Sequence, residues 1–324
     1  MINKQYFMHK RTSLFLCLSF LFFACTNPPS ITLIVGEGIG TYYKISLADK
    51  NDITRSQIDS VIADLNSTAS IFDSNSLVSR INRNETDTLN RMLKEILEVS
   101  LQVCEETDGS FDFTVGALVN LWGFGTTSQK EVTHDEIEKA LKTVGYKKIR
   151  IEENRIIKEN SDTQLNFNAI AKGYCVDLVA EFLISKGLEN FLVDIGGELR
   201  IQGRRAPNKK WRVGIQKPTE NKEDAIATEE IMELYDISVA TSGNYRNYIE
   251  NNGKRFGHTI NPYSGYPEMN NLLSSTVLAS SCALADAYAT AFMVMGKENA
   301  EAFVSQSNII EAFFIEQKPR TINH

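Results

Sequence analysis

The stretch GKRFGHTINPYSGYP at residues 253–267, followed by SSTVLASSCALADAYATAFMVMG at 274–296, decides how this chain is read. Its first part is dense in turn formers (Gly253, Gly257, Pro262, Gly265, Pro267) and sets His258 four residues before Pro262. Its second part reads as a strand over residues 275–279 running into an apolar helix from about Cys282 to Gly296. Asp286 and Thr290 stand four apart on that helix and so share one face. Two readings compete for a carboxylate and a hydroxyl on an apolar helix. Either the helix start is capped and internally satisfied, or the pair helps to hold a hard cation such as Mg²⁺, which takes oxygen ligands and shares them with phosphates.

Outward to the N-terminus, Lys4, Lys10 and Arg11 precede an apolar run at 14–23 that ends in Ala24-Cys25. The run is too short for a comfortable membrane span and suits a secretory signal. A small residue before Cys fits a bacterial lipoprotein signal, loosened here by Phe22 and Phe23. The expectation is that residues 1–24 are a signal peptide, that Cys25 is lipidated, and that 25–30 form a tether before a domain over 31–324. An ordinary signal peptide or an uncleaved anchor is the competing reading.

The chain carries a formal net charge of −7, and the signal segment holds basic but no acidic residues, so its removal leaves the rest more acidic still. That balance argues against nucleic acid, which needs a basic footprint. An anionic ligand would need a local device instead, a metal ion or backbone N–H groups. Cys104, Cys175 and Cys282 sit in apolar helical patterns and read as buried thiols. Beyond the signal the histidines are His134, His258 and His324, and His258 is the imidazole placed for chemistry.

Residues 31–35 and 42–47 read as strands around Gly36-Glu37-Gly38-Ile39-Gly40, a hairpin turn or a close approach to a ligand. Helical spacing predicts helices over 56–70 and 89–106, with a polar loop over 70–82. GSFDFTVGALVNLWGFG at 109–125 fits neither period, and such a segment is either a core loop or a functional one. Thr133 and Glu136 form a capping box for a helix through Val144. A charged hairpin spans 148–158, a helix 171–186 stops at Gly187, and a strand 191–194 turns at Gly196-Gly197. Lys172 lies at a helix start, where the macrodipole disfavours a cation unless an anion docks there, although a solvated lysine serves equally. Strands 211–216 and 237–240, a charged surface loop 221–230, a hairpin across Asn252-Gly253, a helix 298–307 and a strand 309–315 complete the chain.

Gly40-Thr41, FDFTVGALVNLWGFG, AIAKGYCVD, VDIGGELRIQG, VATSGNYRNY, FGHTINPYSGYP and ALADAYATAFMVMG occur in one order from Gly40 to Gly296. This ordered set resembles the ApbE family of FAD:protein FMN transferases. The resemblance implies an α+β fold: a single ApbE-like, T-fold-related domain with antiparallel sheets and packed helices, after a lipoprotein signal segment. It implies a metal site at the Ala169 carbonyl, Asp286 and Thr290, and FAD contacts at Ile39, Phe72, Ser110, Phe111, Asp112, Asn166, Lys172 and Ile260. His258 is then the candidate base, with Phe72, Phe111 and the Trp122-Gly123-Phe124 block as walls for the flavin. Ile39, Phe72, Asn166 and Ala289 depart from residues common in the family (Met, Tyr, Asp and Asp), and the last two changes remove carboxylates.

By the same resemblance, the reaction is Mg²⁺-dependent: FAD is cleaved, AMP leaves, and FMN is joined through its phosphate to a threonine hydroxyl of a partner protein. The implied acceptors are subunits of Na⁺-translocating quinone reductase or Rnf-type complexes, and nucleic acid is not a partner. The implied location is the bacterial cell envelope, on the periplasmic side of the inner membrane, held through a lipid anchor. Two other readings fit the residues: a Mg²⁺-dependent FAD pyrophosphatase that releases FMN, and a non-catalytic flavin-binding lipoprotein. Taken as a helix-surface carboxylate, Asp286 is expected to be removable without loss of the fold.

Overall fold

The computed structural model describes residues 31–127, 131–216, 228–243, 248–251, 254–307 and 311–317. The expected signal segment, the tether, Cys25, the Asn252-Gly253 turn and most of the charged stretch 221–230 lie outside the described residues.

The first described element is a hairpin, β1 (Thr32–Gly38) and β2 (Thr41–Leu47), closed by Ile39-Gly40. Both turn residues have positive φ, 45° and 74°, the conformation a two-residue hairpin of this twist needs. Three helices follow, α1 (Arg55–Ala69), α2 (Leu77–Asn82) and α3 (Arg91–Glu106). The helix α2 lies in the segment read as a polar loop: its Ser76 cap is plain in the sequence, but six residues are too few to show a helical period. Next come α4 (Gly116–Leu121) and α5 (His134–Leu141). The Thr133–Glu136 capping box starts α5 as expected, yet α5 ends at Leu141 because Thr143 and Val144 bond three residues back and tighten the last turn.

A small hairpin, β3 (Ile149–Glu152) with β4 (Arg155–Lys158), leads to α6 (Ala171–Ser185). Strands β5 (Phe191–Ile195) and β6 (Glu198–Gln202) turn at Gly196-Gly197, and β7 (Trp211–Gln216) pairs with β8 (Thr228–Leu234). The remaining elements are β9 (Ile237–Gly243), β10 (Tyr248–Asn251), β11 (Lys254–Gly257), β12 (Leu272–Ala279), α7 (Cys282–Met295), α8 (Lys297–Ser305) and β13 (Glu311–Glu316).

Seven strands form one antiparallel sheet in the order β1-β2-β5-β6-β9-β12-β13. Its two faces differ because strand residues alternate sides. Tyr43, Ile45 and Leu47 of β2 are buried and join the helices in the main core, whereas Tyr42 and Lys44, on the other face, are exposed. On the outer face Leu199, Val239 and Leu278 form a smaller core with Val213, Met232 and Leu234 of the β7–β8 hairpin. The α+β expectation with antiparallel sheets therefore holds. Among the described residues no helix is long and apolar enough to cross a membrane.

Helices α6 and α7 lie at the centre of the inner layer, and Gly173 sets how close they come. A Cβ at Gly173 would collide with the Cys282 carbonyl, so only glycine lets the two backbones touch. Each helix also caps the other. Asp177 of α6 accepts the N–H groups of Cys282 (3.0 Å) and Ala283 (2.8 Å) at the start of α7, and Asp286 of α7 accepts the Gly173 N–H (2.9 Å) at the start of α6. Carboxylates at helix N-termini stabilise the free N–H groups there, each cap by about 1 kcal/mol. Asp286 is thus 2 % exposed and part of the helix pairing. This corrects its reading as a dispensable surface carboxylate.

Candidate active site

A cavity of about 470 Å³ opens where the ends of β2, β5, β6 and β9 meet the start of α6, one face of α7 from Asp286 to Val294, and the loops before α4 and after β11. Lys172 is its cationic centre. Its ammonium is 2.5 Å from Glu198 Oε1 and 3.6 Å from Asp286 Oδ1. Burial works against the lysine's charge, and the two carboxylates outweigh it, so its pKa is raised and the side chain stays protonated. The helix-start lysine is therefore neither free in solvent nor alone; it is held between carboxylates.

Glu198, at 3 % exposure, is pushed up to about 7. Burial is the main cause, opposed by Lys172 and reinforced by Asp286. Its second oxygen, Oε2, is buried without a hydrogen-bond partner among the described residues, as is Asn166 Nδ2. Buried polar atoms are ordinarily paired, and an exception beside a cavity calls for a physical cause, a bound ligand, water or ion among them. Sequence reading gave Glu198 no role; the available signal was an acidic residue directly after Gly196-Gly197 at a strand start.

The cavity wall contains Ile39, Ser110, Phe111, Asp112, Asn166, Ala169, Lys172, His258, Ile260, Asp286 and Thr290, so residues separated by up to 251 positions in sequence are brought together. Thr290 shares a hydrogen bond with Ser242 (3.0 Å) across to β9. His258 follows β11 and stands edge-on to Phe124, ring centres 6.4 Å apart. Ile39 is a β-branched residue at φ 45°, a conformation costly without glycine's freedom, and it holds an apolar side chain at the cavity mouth.

Two expected residues lie off the cavity wall, and a third lines it with its side chain engaged elsewhere. Phe72 is 65 % exposed on the turn after α1 and does not line the cavity. Asp112 lines it, but its carboxylate is engaged by the Thr114 N–H and hydroxyl (2.8 and 2.6 Å) and the Tyr146 N–H (2.9 Å). Burial raises the Asp112 pKa, and these hydrogen bonds oppose the rise. Trp122 turns away from the cavity; its indole N–H donates to the Gly265 carbonyl (2.8 Å) and pins the loop after His258. The 109–125 block is therefore both of its readings at once, a wall through Phe111 and Phe124 and a core loop through Trp122.

For a cation, the lining residues named by the resemblance are Asp286 with a carboxylate, Thr290 with a hydroxyl and Ala169 with its backbone carbonyl. Among the described residues no group of three or more His, Cys, Asp and Glu side chains forms a metal cage. The all-oxygen set, with one carboxylate and room beside it, suits a hard ion that completes its shell with water and phosphate oxygens, as Mg²⁺ does. It does not suit Zn²⁺, which prefers nitrogen and sulfur.

The sequence profile of the ApbE family matches residues 39–314. A relative from Vibrio cholerae, named FAD:protein FMN transferase, is 36 % identical over 90 % of this chain and 89 % of its own length. Its counterpart from Haemophilus influenzae, of the same name, is 33 % identical over 88 % of this chain and 87 % of its own. Among solved structures, the flavin transferase ApbE from Vibrio cholerae superposes with a TM-score of 0.81 at 33 % identity, covering 90 % of this chain and 95 % of that one. The apo flavinyl transferase ApbE of Pseudomonas stutzeri gives a TM-score of 0.81 at 32 % identity, over 91 % and 94 %.

Proposed function

The chain belongs to the ApbE family, and from that premise we propose that it transfers FMN from FAD to a target flavoprotein, joining the flavin's phosphate to a threonine hydroxyl and releasing AMP. The supporting observation is one cavity that gathers a protonated lysine, an imidazole and three oxygen donors of different kinds around the same space.

The bond that breaks joins the FMN phosphorus to the oxygen bridging it to AMP, and the bond that forms joins the same phosphorus to the threonine oxygen. AMP departs with the bridging oxygen, and the hydroxyl proton goes to the imidazole of His258. An alcohol is a weak nucleophile at neutral pH, so a positioned base is worth about 10²-fold or more. Lys172 faces the phosphates with its charge fixed by Glu198 and Asp286, which stabilises the charge that builds up on phosphoryl oxygens. Asp286, Thr290 and the Ala169 carbonyl would hold Mg²⁺, which when bound neutralises phosphate charge. Ile39, Phe111, Phe124 and Ile260 give the isoalloxazine ring apolar contacts.

The acceptors proposed are subunits of Na⁺-translocating quinone reductase or Rnf-type complexes. The enzyme is proposed to be anchored through a lipid on Cys25 on the periplasmic side of the inner membrane, where such acceptors are exposed. The motif order from Gly40 to Gly296 and the Ala24-Cys25 pattern support this. The test is incubation with FAD, Mg²⁺ and an acceptor subunit, followed by mass measurement. A gain of one FMN on the target threonine with release of AMP is expected. Accumulation of AMP and free FMN without acceptor labelling would make the protein a pyrophosphatase, and FAD bound but uncleaved would make it a flavin carrier.

A further inference from the structure

The chain is acidic, yet one short segment is strongly basic. Residues 204–212, RRAPNKKWR, hold five cations (Arg204, Arg205, Lys209, Lys210 and Arg212) and no acid. They carry the chain from β6 to β7 through a tight turn. In it the Arg205 N–H donates to the Lys209 carbonyl (3.0 Å) and the Lys209 N–H to the Ala206 carbonyl (2.9 Å). Arg204 and Lys210 lie 4.7 and 5.1 Å from the centre of the Tyr235 ring, which is 44 % exposed. None of the five forms an ion pair among the described residues. Like charges so close repel one another, and an anionic surface relieves that repulsion.

The turn borders an outer cavity of about 510 Å³, lined by Arg205 and Arg212 on one side and by Tyr42, Lys44 and Ser46 of β2 on the other. Strand pairing sets those three β2 residues opposite Glu37, Val35 and Leu33 of β1, on the face of the sheet away from the helices. Leu33, Val35 and Tyr42 are each more than half exposed. The carboxylates nearby are Asp194, which accepts the Gly197 N–H (3.0 Å), Glu37 at the hairpin end and Glu233 opposite Arg212. This face therefore joins exposed apolar side chains, exposed tyrosines and a surplus of positive charge. That is the composition of a surface that lies on anionic phospholipid.

The place of the hairpin in the chain points the same way. Strand β1 begins at Thr32, seven positions after Cys25, and a chain of that length spans at most about 25 Å. We propose that the outer face of β1–β2, together with the basic turn 204–212, rests on a bilayer that contains anionic phospholipid. Lys44, Arg205, Lys209 and Arg212 meet the headgroup phosphates, and Leu33, Val35 and Tyr42 enter the boundary between headgroups and acyl chains. An acidic protein surface would match the cations but would leave Leu33 and Val35 without apolar contact. A lipid on Cys25 holds the protein at the membrane without fixing its orientation; the patch fixes it, with the helix layer toward water. The inference rests on the lipid-anchor reading and adds the face that the bilayer meets.

The experiment uses the full-length protein in vesicles of phosphatidylcholine alone or mixed with phosphatidylglycerol. An environment-sensitive fluorophore is attached at Val35→Cys, or at Glu98→Cys on the exposed side of α3 as the control. The native Cys104, Cys175 and Cys282 are buried. Emission from position 35 should shift to the blue in phosphatidylglycerol vesicles, more than in phosphatidylcholine alone, and position 98 should not shift. Arg205→Gln combined with Lys209→Gln removes two exposed cations and keeps the backbone bonds of the turn. It should lower the ratio of docked to undocked protein at position 35 about tenfold or more, with melting temperature and FAD cleavage in detergent unchanged. A label at position 35 that reads water in phosphatidylglycerol vesicles overturns the proposal. So does an equal shift at position 98, or a full shift in the double variant. A raised acceptor KM in the double variant without any vesicle signal also overturns it, and gives the face to an acidic protein. The mass of the N-terminal peptide reads the anchor separately. Unlipidated Cys25 with position 35 still shifting overturns the anchor alone, and lipidated Cys25 with position 35 silent overturns the docking face alone.

Discussion

Asp177 and Asp286 do the same structural work on the two central helices, and only one of them faces a space. Each accepts backbone N–H groups at the start of the other's helix, and each has a cation at hand. For Asp177 the cation is Arg200, 3.2 Å away, which reaches on to Glu181 at 2.8 Å. Burial raises the Asp177 pKa and its hydrogen bonds and Arg200 oppose the rise. Around Asp286 the cation is Lys172, shared with Glu198, a residue that lines the cavity and whose second oxygen is buried without a partner among the described residues. Buried charge by itself therefore does not identify a site, since a satisfied carboxylate cluster is a scaffold. A cluster left one bond short beside an open volume is the one prepared for a ligand.

The largest effect expected from this contrast is on Asp286. Asp286→Asn keeps an oxygen for the Gly173 N–H but loses the charge, and FMN transfer should fall about 10³-fold, comparable to losing a main electrostatic contact in a polar active site. Thermal unfolding should show that the variant still folds. Asp177→Ala should show the opposite pattern. It leaves Arg200 and the start of α7 without their partner and should cost about 3 kcal/mol of stability by denaturant titration. Its transfer rate per folded molecule should stay within about twofold of wild type, as expected for a residue outside the reacting groups. An Asp177 variant as inactive as Asp286→Asn while fully folded would break the comparison.

His258→Ala should lower transfer about 10²-fold while FAD still binds, the range for loss of a general base. Loss of FAD affinity in proportion to the rate would make the imidazole a phosphate contact and not a base. Thr290→Ala removes a neutral hydroxyl and should cost about tenfold, less than the carboxylate, with a raised Mg²⁺ requirement in a metal titration.

The smallest expected effect sharpens the same contrast through pH. Glu198 ionises at about 7 in the folded protein because burial disfavours its charge, against an ordinary value of 4.5. Between those values the folded state keeps a proton that the unfolded state has released, so stability falls as pH rises through that window. Lys172 is raised and stays charged throughout, so it adds nothing to the slope. Urea midpoints of metal-free protein should decline from pH 4.5 to about 7, and Glu198→Gln should flatten that part of the decline. An unchanged slope in the variant would assign it to Asp177 and Asp112, which burial also raises.

Much of the site was legible before any fold was known, because its residues lie in short blocks with strong local chemistry. The turn-rich run around His258 and the apolar helix with Asp286 and Thr290 stand out within a few residues each. Glu198 did not, because a glutamate at a strand start is commonplace until its neighbours are known, and those neighbours lie 26 and 88 positions away. Phe72 is the converse case. The family resemblance implied an aromatic against the flavin there, and the turn after α1 holds it 65 % exposed. Strand β8 was hidden because its charged sequence has no alternation strong enough to announce a pairing with β7.

The α+β class was legible through the family resemblance, and by itself the sequence determined the helix start at Thr133, a hairpin turn within Gly36–Gly40 and the carboxylate–hydroxyl pair of α7. These follow from local rules: periodicity, capping and turn geometry act over a few residues. Tertiary structure decided that α6 and α7 touch at Gly173 and cap one another, and that Lys172 is shared between two carboxylates. It also decided that one oxygen of Glu198 is buried without a hydrogen-bond partner among the described residues. Those outcomes depend on burial and on contacts between distant segments, and the charge and hydrogen bonding of a side chain are set by what surrounds it in space.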